Sequence, residues 1–411
     1  MKLDDPLFRR ESVRMVAALV RVFGIHNLAL AEDVVQDAFC RALESWEGHG
    51  MPDNPGAWLV ATAKNRAIDV VRRERTARTF APELGRLLDT EWTLAPVIDE
   101  AFSPDTIRDE QLRMMFSCCQ PRLPVEVQLA LVLNILCGFG APEVAAAFLA
   151  SRAAIEKRIA RGKKDLAAAT TLFDLGAGDL AARLATVQRA LYLLFNEGYH
   201  GASATRVELC EEALRLVQLL CDHPPTSTPS THALAALMSL HAARLPARVD
   251  ADGELSAFAD QDRAKWDARL VAHGLAHLEA SATGTELGAY HIEAAIAATH
   301  ASATRAADTD WPAIVALYDR LLALAPSPVV ELNRAIAIGQ AHGPERGLDA
   351  LHAIADRDRL ARYPFYPAAI GELELRLGHR DQARARFEAA LALARNHAER
   401  HFLARRVRAC D

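Results

Sequence analysis

Aromatic residues make up only 6% of this 411-residue chain, and runs rich in Val, Ile, Thr and Tyr are scarce. Little of the sequence suits a strand, and the prevalence of Ala and Leu points to an all-α protein. A glycine-rich phosphate loop, a GxSxG elbow and a Walker motif are all missing, so no common enzyme signature is present and no catalytic residue is expected. No CxxC pair occurs among the seven cysteines, Cys40, Cys118, Cys119, Cys137, Cys210, Cys221 and Cys410. An odd set without paired spacing argues for buried, reduced thiols in a cytoplasmic protein rather than a disulfide framework. No stretch of about 18 apolar residues lacks charge, so no membrane span is expected. The opening MKLDDPLFRRES has no apolar run before a small-residue cleavage site, so no signal peptide is expected.

What is present is enough to build sizeable cores, with 51% hydrophobic and 24% charged residues. The length suggests two to four domains. The net charge is −6, but the distribution is uneven. Residues 60–78 hold six basic and two acidic side chains, and residues 151–164 hold six basic and one acidic. Between them, residues 83–110 hold eight acidic and two basic. Two basic patches flanking an acidic connector suit a nucleic-acid binder better than the total charge does.

Along the chain, Val13, Val16, Ala17, Val20 and Phe23 recur at helical spacing, predicting a helix over 7–25 that ends near Gly24. A second helix is predicted over 27–46, apolar through Val34, Val35, Ala38, Phe39, Ala42 and Leu43 and polar through Glu32, Asp33, Gln36 and Asp37. GHGMPDNPG reads as a loop, and a third helix follows over 57–75. Prolines and acids mark a connector over about 80–108. A second small domain, about 109–170, contains an apolar helix over 126–136 and then turn, short helix, turn and longer helix. Pro142 suits the first turn of the short helix and Ser151 suits the N-cap of the long one, which is a helix-turn-helix layout. The remaining 171–411 is rich in Ala and Leu, with breaks at 222–232 and 244–258. Ile370, Gly371, Gly378, Ala383, Phe387 and Ala390 match the spacing of a tetratricopeptide (TPR) helix pair, and Ala335, Gly343 and Leu351 match it more loosely.

AEDVVQDAFCRALESW followed by NPGAWLVATAKNRAIDVVRRER resembles sigma region 2 of the extracytoplasmic-function (ECF) branch of the sigma-70 family. The helix-turn-helix at 126–166 resembles sigma region 4. DEQLRMMFSCCQPRLP, LLFNEGYHGAS and RNHAERHFLARR resemble the ECF subgroup that bears a long TPR-like C-terminal extension. The implied architecture is a region 2 helical bundle (1–80), an acidic linker (81–108), a region 4 helix-turn-helix (109–170), a helical extension (171–300) and TPR-like repeats (301–411).

The resemblance implies an initiation factor that binds the RNA polymerase core, through its β′ and β subunits, and promoter DNA. Asp33, Gln36, Asp37 and Arg41 lie at spacings of three and four, an acidic-polar face suited to a basic partner helix. By resemblance that partner is the β′ clamp helices. Lys64, Arg66, Arg72 and Arg73 suit phosphate contact. By resemblance the −10 element is read through a flipped base, for which Asn54 offers hydrogen bonds and Trp58 a wall. Trp58 also suits a core position, and Asp69 a structural one holding an arginine. On the long helix of the second domain, Arg152, Ala153, Glu156 and Lys157 stand where base edges are reached, with Arg161 nearer phosphate; by resemblance the target is the −35 element. The acidic linker repels DNA and, by resemblance, threads the polymerase RNA-exit path.

The extension is expected to regulate the sigma core in cis, with an unidentified regulator as a possible further partner. A helix-turn-helix regulator acting without polymerase is the alternative from another class. A metalloenzyme is the third, resting on His273 and His277, four residues apart without the Glu of an HExxH site. No metal or cofactor is expected. Cys118 and Cys119, beside Met114, Met115 and Phe116, read as buried thiols rather than redox sensors.

Overall fold

The computed structural model describes residues 6–74, 91–120, 122–148, 150–168, 177–199, 204–248, 256, 258–285, 287–394 and 397–411. Among these, every regular element is a helix. The chain divides into two compact units, one of Met1–Leu194 with Asp222–Thr226, the other of Phe195–Cys221 with Ser227–Asp411.

In the first unit, α1 (Pro6–Phe23) buries the predicted stripe from Val13 to Phe23 and ends at Gly24, whose φ of 81° favours a residue without a side chain. Helix α2 (Leu28–His49) buries Val34, Val35, Ala38, Phe39 and Ala42 against α1. Asn54 caps α3 (Pro55–Glu74), its side-chain oxygen accepting from Ala57 N at 3.0 Å.

The acidic connector differs from the sequence expectation. Its first part, 81–90, lies outside the described residues. Beyond that it is helical: α4 (Glu91–Ala101) and α5 (Pro104–Cys118). The acids obscured a packing face, because Ile98, Ala101 and Phe102 are buried and α4 lies against α1 and α3. Pro104 starts a helix rather than breaking one, behind Ser103, whose hydroxyl accepts from Thr106 N at 3.3 Å. Helix α5 packs on α1, and Arg21 of α1 approaches the buried Glu110 at 3.6 Å. Burial raises the Glu110 pKa, against the opposing pull of Arg113 and Arg21.

The apolar helix of the second predicted domain is α6 (Val125–Leu131), continued by a wide π turn over Val132–Leu136. Then come α7 (Ala141–Ala147) and α8 (Arg152–Ala167). Pro142 sits in the first turn of α7, and Ser151 caps α8 by accepting from Ala154 N at 3.2 Å. Both match the predicted helix-turn-helix. Helix α9 (Ala177–Tyr199) contains the division between the units.

The second unit runs through α10 (Ala204–Asp222), α11 (Pro229–Ala242), α12 (Ala268–Ser281), α13 (Ala289–Ser302), α14 (Trp311–Leu324), α15 (Pro328–His342), α16 (Pro344–His352), α17 (Phe365–Arg376), α18 (Arg380–Ala392) and α19 (His397–Arg408). Neighbours in sequence pair as hairpins, as in α14 with α15 and α17 with α18. The TPR-like positions are the contact positions: Ile370, Ala383, Phe387 and Ala390 are buried, and Gly371 backs onto Phe387 and Ala383. Backbones come closest at Gly347 of α16 and Gly339 of α15, where an added Cβ would stand 2.7 Å from the Gly339 Cα. An Arg–aromatic hub holds the segment between α11 and α12. Arg263 donates to the carbonyl oxygens of His300 and Ala303, both at 2.6 Å, and Arg244 lies 4.1 Å over the Phe258 ring. Burial, with Arg244 and Arg263 nearby, lowers the His300 pKa to about 3.

Gly347→Ala should destabilise the protein in thermal or urea unfolding by about 1–3 kcal/mol of overpacking. That is opposite to helix propensity, which favours Ala by about 1 kcal/mol. Gly48→Ala in α2, with nothing within 4 Å of the added Cβ, should follow propensity and stabilise. Equal signs at the two sites would contradict the close helix approach.

His300 carries a pH signature. Its ordinary pKa near 6.5 applies to the unfolded chain, which therefore binds the proton first as pH falls. Stability present above about pH 6.5 is lost towards pH 3, at up to about 1.4 kcal/mol per pH unit for this one proton. In His300→Gln the acid-side slope of unfolding free energy should be shallower by up to one proton. An unchanged slope would show that His300 is not held neutral.

Candidate functional site

Helices α2 and α3 carry most of the residues singled out in the sequence. Asp33, Gln36 and Arg41 are exposed along α2, while Asp37 is half-buried. Asp37 Oδ2 accepts from Arg66 Nε at 2.8 Å. Two side chains expected to meet different partners are thus paired with each other across α2 and α3. Lys64 is also occupied, with its ammonium 2.7 Å from Asp99 Oδ1 on α4 and 5.4 Å from the Phe102 ring centroid. The connector therefore lays a carboxylate on the basic helix. Arg72 and Arg73 belong to the last turns of α3, and their side chains lie outside the described residues.

Asn54 spends its side-chain oxygen on the α3 cap. Trp58 meets Trp46 edge to face, with centroids 5.4 Å apart. Its other side opens on a shallow cavity of about 430 Å³ lined by Arg41, Glu44, Ser45, Thr62 and Asn65. An indole wall beside amide, hydroxyl, guanidinium and carboxylate groups has the chemistry of a base pocket.

On α8, Arg152, Ala153, Glu156, Lys157 and Arg161 are all exposed. Arg152 Nε and Glu156 Oε1 form an i,i+4 pair at 2.7 Å. Lys163 turns the other way and binds Glu32 of α2, with its Nζ 2.6 and 2.8 Å from the two carboxylate oxygens. A parallel link joins α1 to α7, where Arg9 donates to Glu143 at 2.9 Å while stacked 4.3 Å from the Phe139 ring. A groove of about 360 Å³ lies beside these links, lined by Arg9, Glu32, Gln36, Cys40, Asn134 and Glu143 among others.

Cys118 and Cys119 are buried. Desolvation pushes Cys119 up to about 12 and Cys118 well above the ordinary thiol value, which leaves neither as a reactive thiolate. Of the seven cysteines only Cys40 is exposed.

The second unit holds a cluster that sequence spacing captured only in part. His273 and His277 share a face of α12, their Nε2 atoms 3.2 Å apart. Helix packing adds His232 of α11, whose Nδ1 is 2.8 Å from His277 Nδ1, and Cys221 of α10. The four-residue spacing was the visible signal. The two further members lie 56 and 45 residues before His277 and carry none.

Comparison with known proteins gives two domain matches. Residues 7–77 match Sigma-70 region 2, and residues 183–282 match a family of unknown function, DUF6596. An uncharacterized protein of Rhizobium meliloti is 41% identical over 394 residues, covering 94% of this chain and 91% of that protein. The ECF RNA polymerase sigma factor SigX of Bacillus subtilis is 25% identical over 33% of this chain and 68% of its own length. The ECF RNA polymerase sigma factor SigE of Mycolicibacterium smegmatis is 28% identical over 39% of this chain and 59% of its own. No solved structure matches. Among the described residues no helix is long and apolar enough to cross a membrane.

Proposed function

This chain belongs to the ECF branch of the sigma-70 family, and we propose that it loads onto core RNA polymerase through α2 and reads promoters with α3 and α8. The observation that carries this reading is the exposed Asp33–Gln36–Arg41 face of α2 inside the Sigma-70 region 2 match. An exposed acidic-polar face on a helix whose opposite side is core is an unspent docking surface. Asp37 joins that face at the expense of Arg66.

At the −10 element, Trp58 and its cavity take the flipped base, and Asn54 offers it hydrogen bonds. Lys64, Arg66, Arg72 and Arg73 meet phosphates. At −35, Arg152, Ala153, Glu156 and Lys157 face base edges and Arg161 faces phosphate. Three of these DNA contacts are exchanges of partners. Lys64 leaves Asp99, Arg66 leaves Asp37, and Arg152 separates from Glu156.

The free chain is closed on this reading. Reading two separated promoter elements requires α3 and α8 to move apart, which breaks Lys163–Glu32 and Arg9–Glu143. Glu32 adjoins Asp33, so polymerase docking on α2 competes directly with α8 for the same surface. The extension beyond about residue 170 acts on this equilibrium in cis, through the high effective concentration that covalent attachment gives.

The decisive experiment mixes purified core polymerase with the full-length chain and follows co-elution and run-off transcription on genomic DNA. Co-elution with promoter-specific transcripts is expected, and truncation after about residue 170 should change transcript level or promoter choice. DNA binding without core association would leave a helix-turn-helix regulator. Unchanged transcription after truncation would remove the cis-regulatory role.

The partner exchange at Lys64 has its own measurement. Asp99→Asn should strengthen DNA binding by up to about fivefold, because Lys64 no longer gives up a partly exposed carboxylate partner, worth about 0–1 kcal/mol, to meet the phosphate. Asp105→Asn in α5 removes the same charge without touching Lys64 and should do less. Equal effects would assign the gain to net charge alone.

A further inference from the structure

Three helices of the second unit bring soft and borderline metal-binding atoms to one point. Cys221 sits in the last turn of α10, His232 in the first turn of α11 and His277 in the middle of α12. One ligand atom from each lies within 4.8 Å of the other two. Cys221 is buried, and both imidazoles are half-buried.

The groups around the cluster orient it. Ser227 Oγ lies 3.0 Å from His232 Nε2. Ser239 Oγ lies 3.1 Å from His273 Nδ1, and His273 Nε2 lies 3.2 Å from His277 Nε2. Several proton arrangements satisfy these contacts, and one of them suits a metal. In that one, His232 Nε2–H donates to Ser227, His277 Nε2–H donates to His273, and His273 Nδ1–H donates to Ser239. The Nδ1 lone pairs of His232 and His277 then point at each other across 2.8 Å. In that arrangement a cation between the two nitrogens would be bound by both. A distal N–H held by a hydroxyl or a second ring is also how metal-ligating histidines are commonly fixed.

We propose that Cys221, His232 and His277 bind one divalent ion of the zinc class, the thiolate and the two Nδ1 atoms filling three tetrahedral positions. The N₂S donor set selects a borderline ion over magnesium or calcium, which take oxygen. Tetrahedral angles with Zn–N of about 2.0–2.1 Å put two nitrogens about 3.3 Å apart, so the rings part by only about half an ångström. The Cys221 thiol gives its proton to solvent as the metal–sulfur bond forms. Three protein ligands leave a fourth position for water or another small donor. The ion ties α10, α11 and α12 together, so it also stabilises this part of the extension. The proposal does not depend on the transcription reading, and a chain inert with polymerase would still bind the metal.

The test uses the full-length chain, stripped with chelator and titrated with Zn²⁺ and, separately, Co²⁺. One equivalent of zinc, a raised thermal midpoint, and a cobalt spectrum with a thiolate charge-transfer band and intense four-coordinate visible bands are expected. Cys221→Ser should remove the charge-transfer band, and His277→Gln should weaken binding by more than about tenfold. Cys40→Ser should change neither. Circular dichroism checks that each variant is folded. If a variant is unfolded, the wild-type cobalt spectrum decides, since a charge-transfer band that excess Zn²⁺ abolishes supports the site and its absence overturns it. No saturable uptake by the wild type, or an undiminished band in folded Cys221→Ser, also overturns it.

Discussion

Several cations on the basic helices of the first unit are already bound to its own carboxylates, and much of what it can do follows from that. Lys64 is held by Asp99, Arg66 by Asp37, Lys163 by Glu32 and Arg152 by Glu156. A chain of net charge −6 that is to bind a polyanion cannot rely on long-range attraction. It has to expose positive charge locally, when carboxylates move away. These pairs are partly exposed, and pairs of that kind contribute about 0–1 kcal/mol each. They are weak enough to exchange for phosphate and geometrically definite enough to hold the basic helices in a defined resting arrangement.

The second unit is built on a different principle. Its hairpins depend on small side chains at the crossings, so at Gly339 with Gly347 the backbones approach until only glycine fits. Such contacts are short-range and local in sequence, and each hairpin leans mainly on its neighbours. In the long connection between α11 and α12, which pack on each other, the Arg244–Arg263 hub fixes the chain, with hydrogen bonds from Arg263 to the end of α13. The histidine–cysteine cluster lies at the opposite edge of the same α11–α12 pair, nearer the start of α11.

Much of the fold was legible in the sequence because periodicity and capping are local. Val13 to Phe23 fixed α1, Pro142 and Ser151 marked the ends of the helix-turn-helix, and Gly371 with Ala383 and Phe387 marked a hairpin. The connector misled because composition outweighed pattern. Acids and prolines dominate 81–108, yet Ile98, Ala101 and Phe102 supply a buried face and Pro104 starts a helix. The candidate site was legible residue by residue but not as a set of contacts. Nothing in local spacing announces that Lys64 finds Asp99 35 residues away, or that Lys163 finds Glu32 at a separation of 131. The same limit hid Cys221 and His232 behind the visible His273–His277 pair.

Opening the first unit would cost more than its ion pairs. Helix α5 packs on α1, and Leu19, Val22, Met114, Met115 and Phe116 are all fully buried in that unit. Burial of apolar surface contributes roughly 25 cal/mol per Å², so exposing even about 200 Å² costs about 5 kcal/mol. That is close to the roughly 5.5 kcal/mol needed to carry a two-state equilibrium from 1:99 to 99:1. The salt links then set which surfaces meet, while the apolar contact sets how firmly they stay together. A partner that only competes for charges would open the unit weakly. One that also covers the exposed faces of α1 and α5 would open it fully.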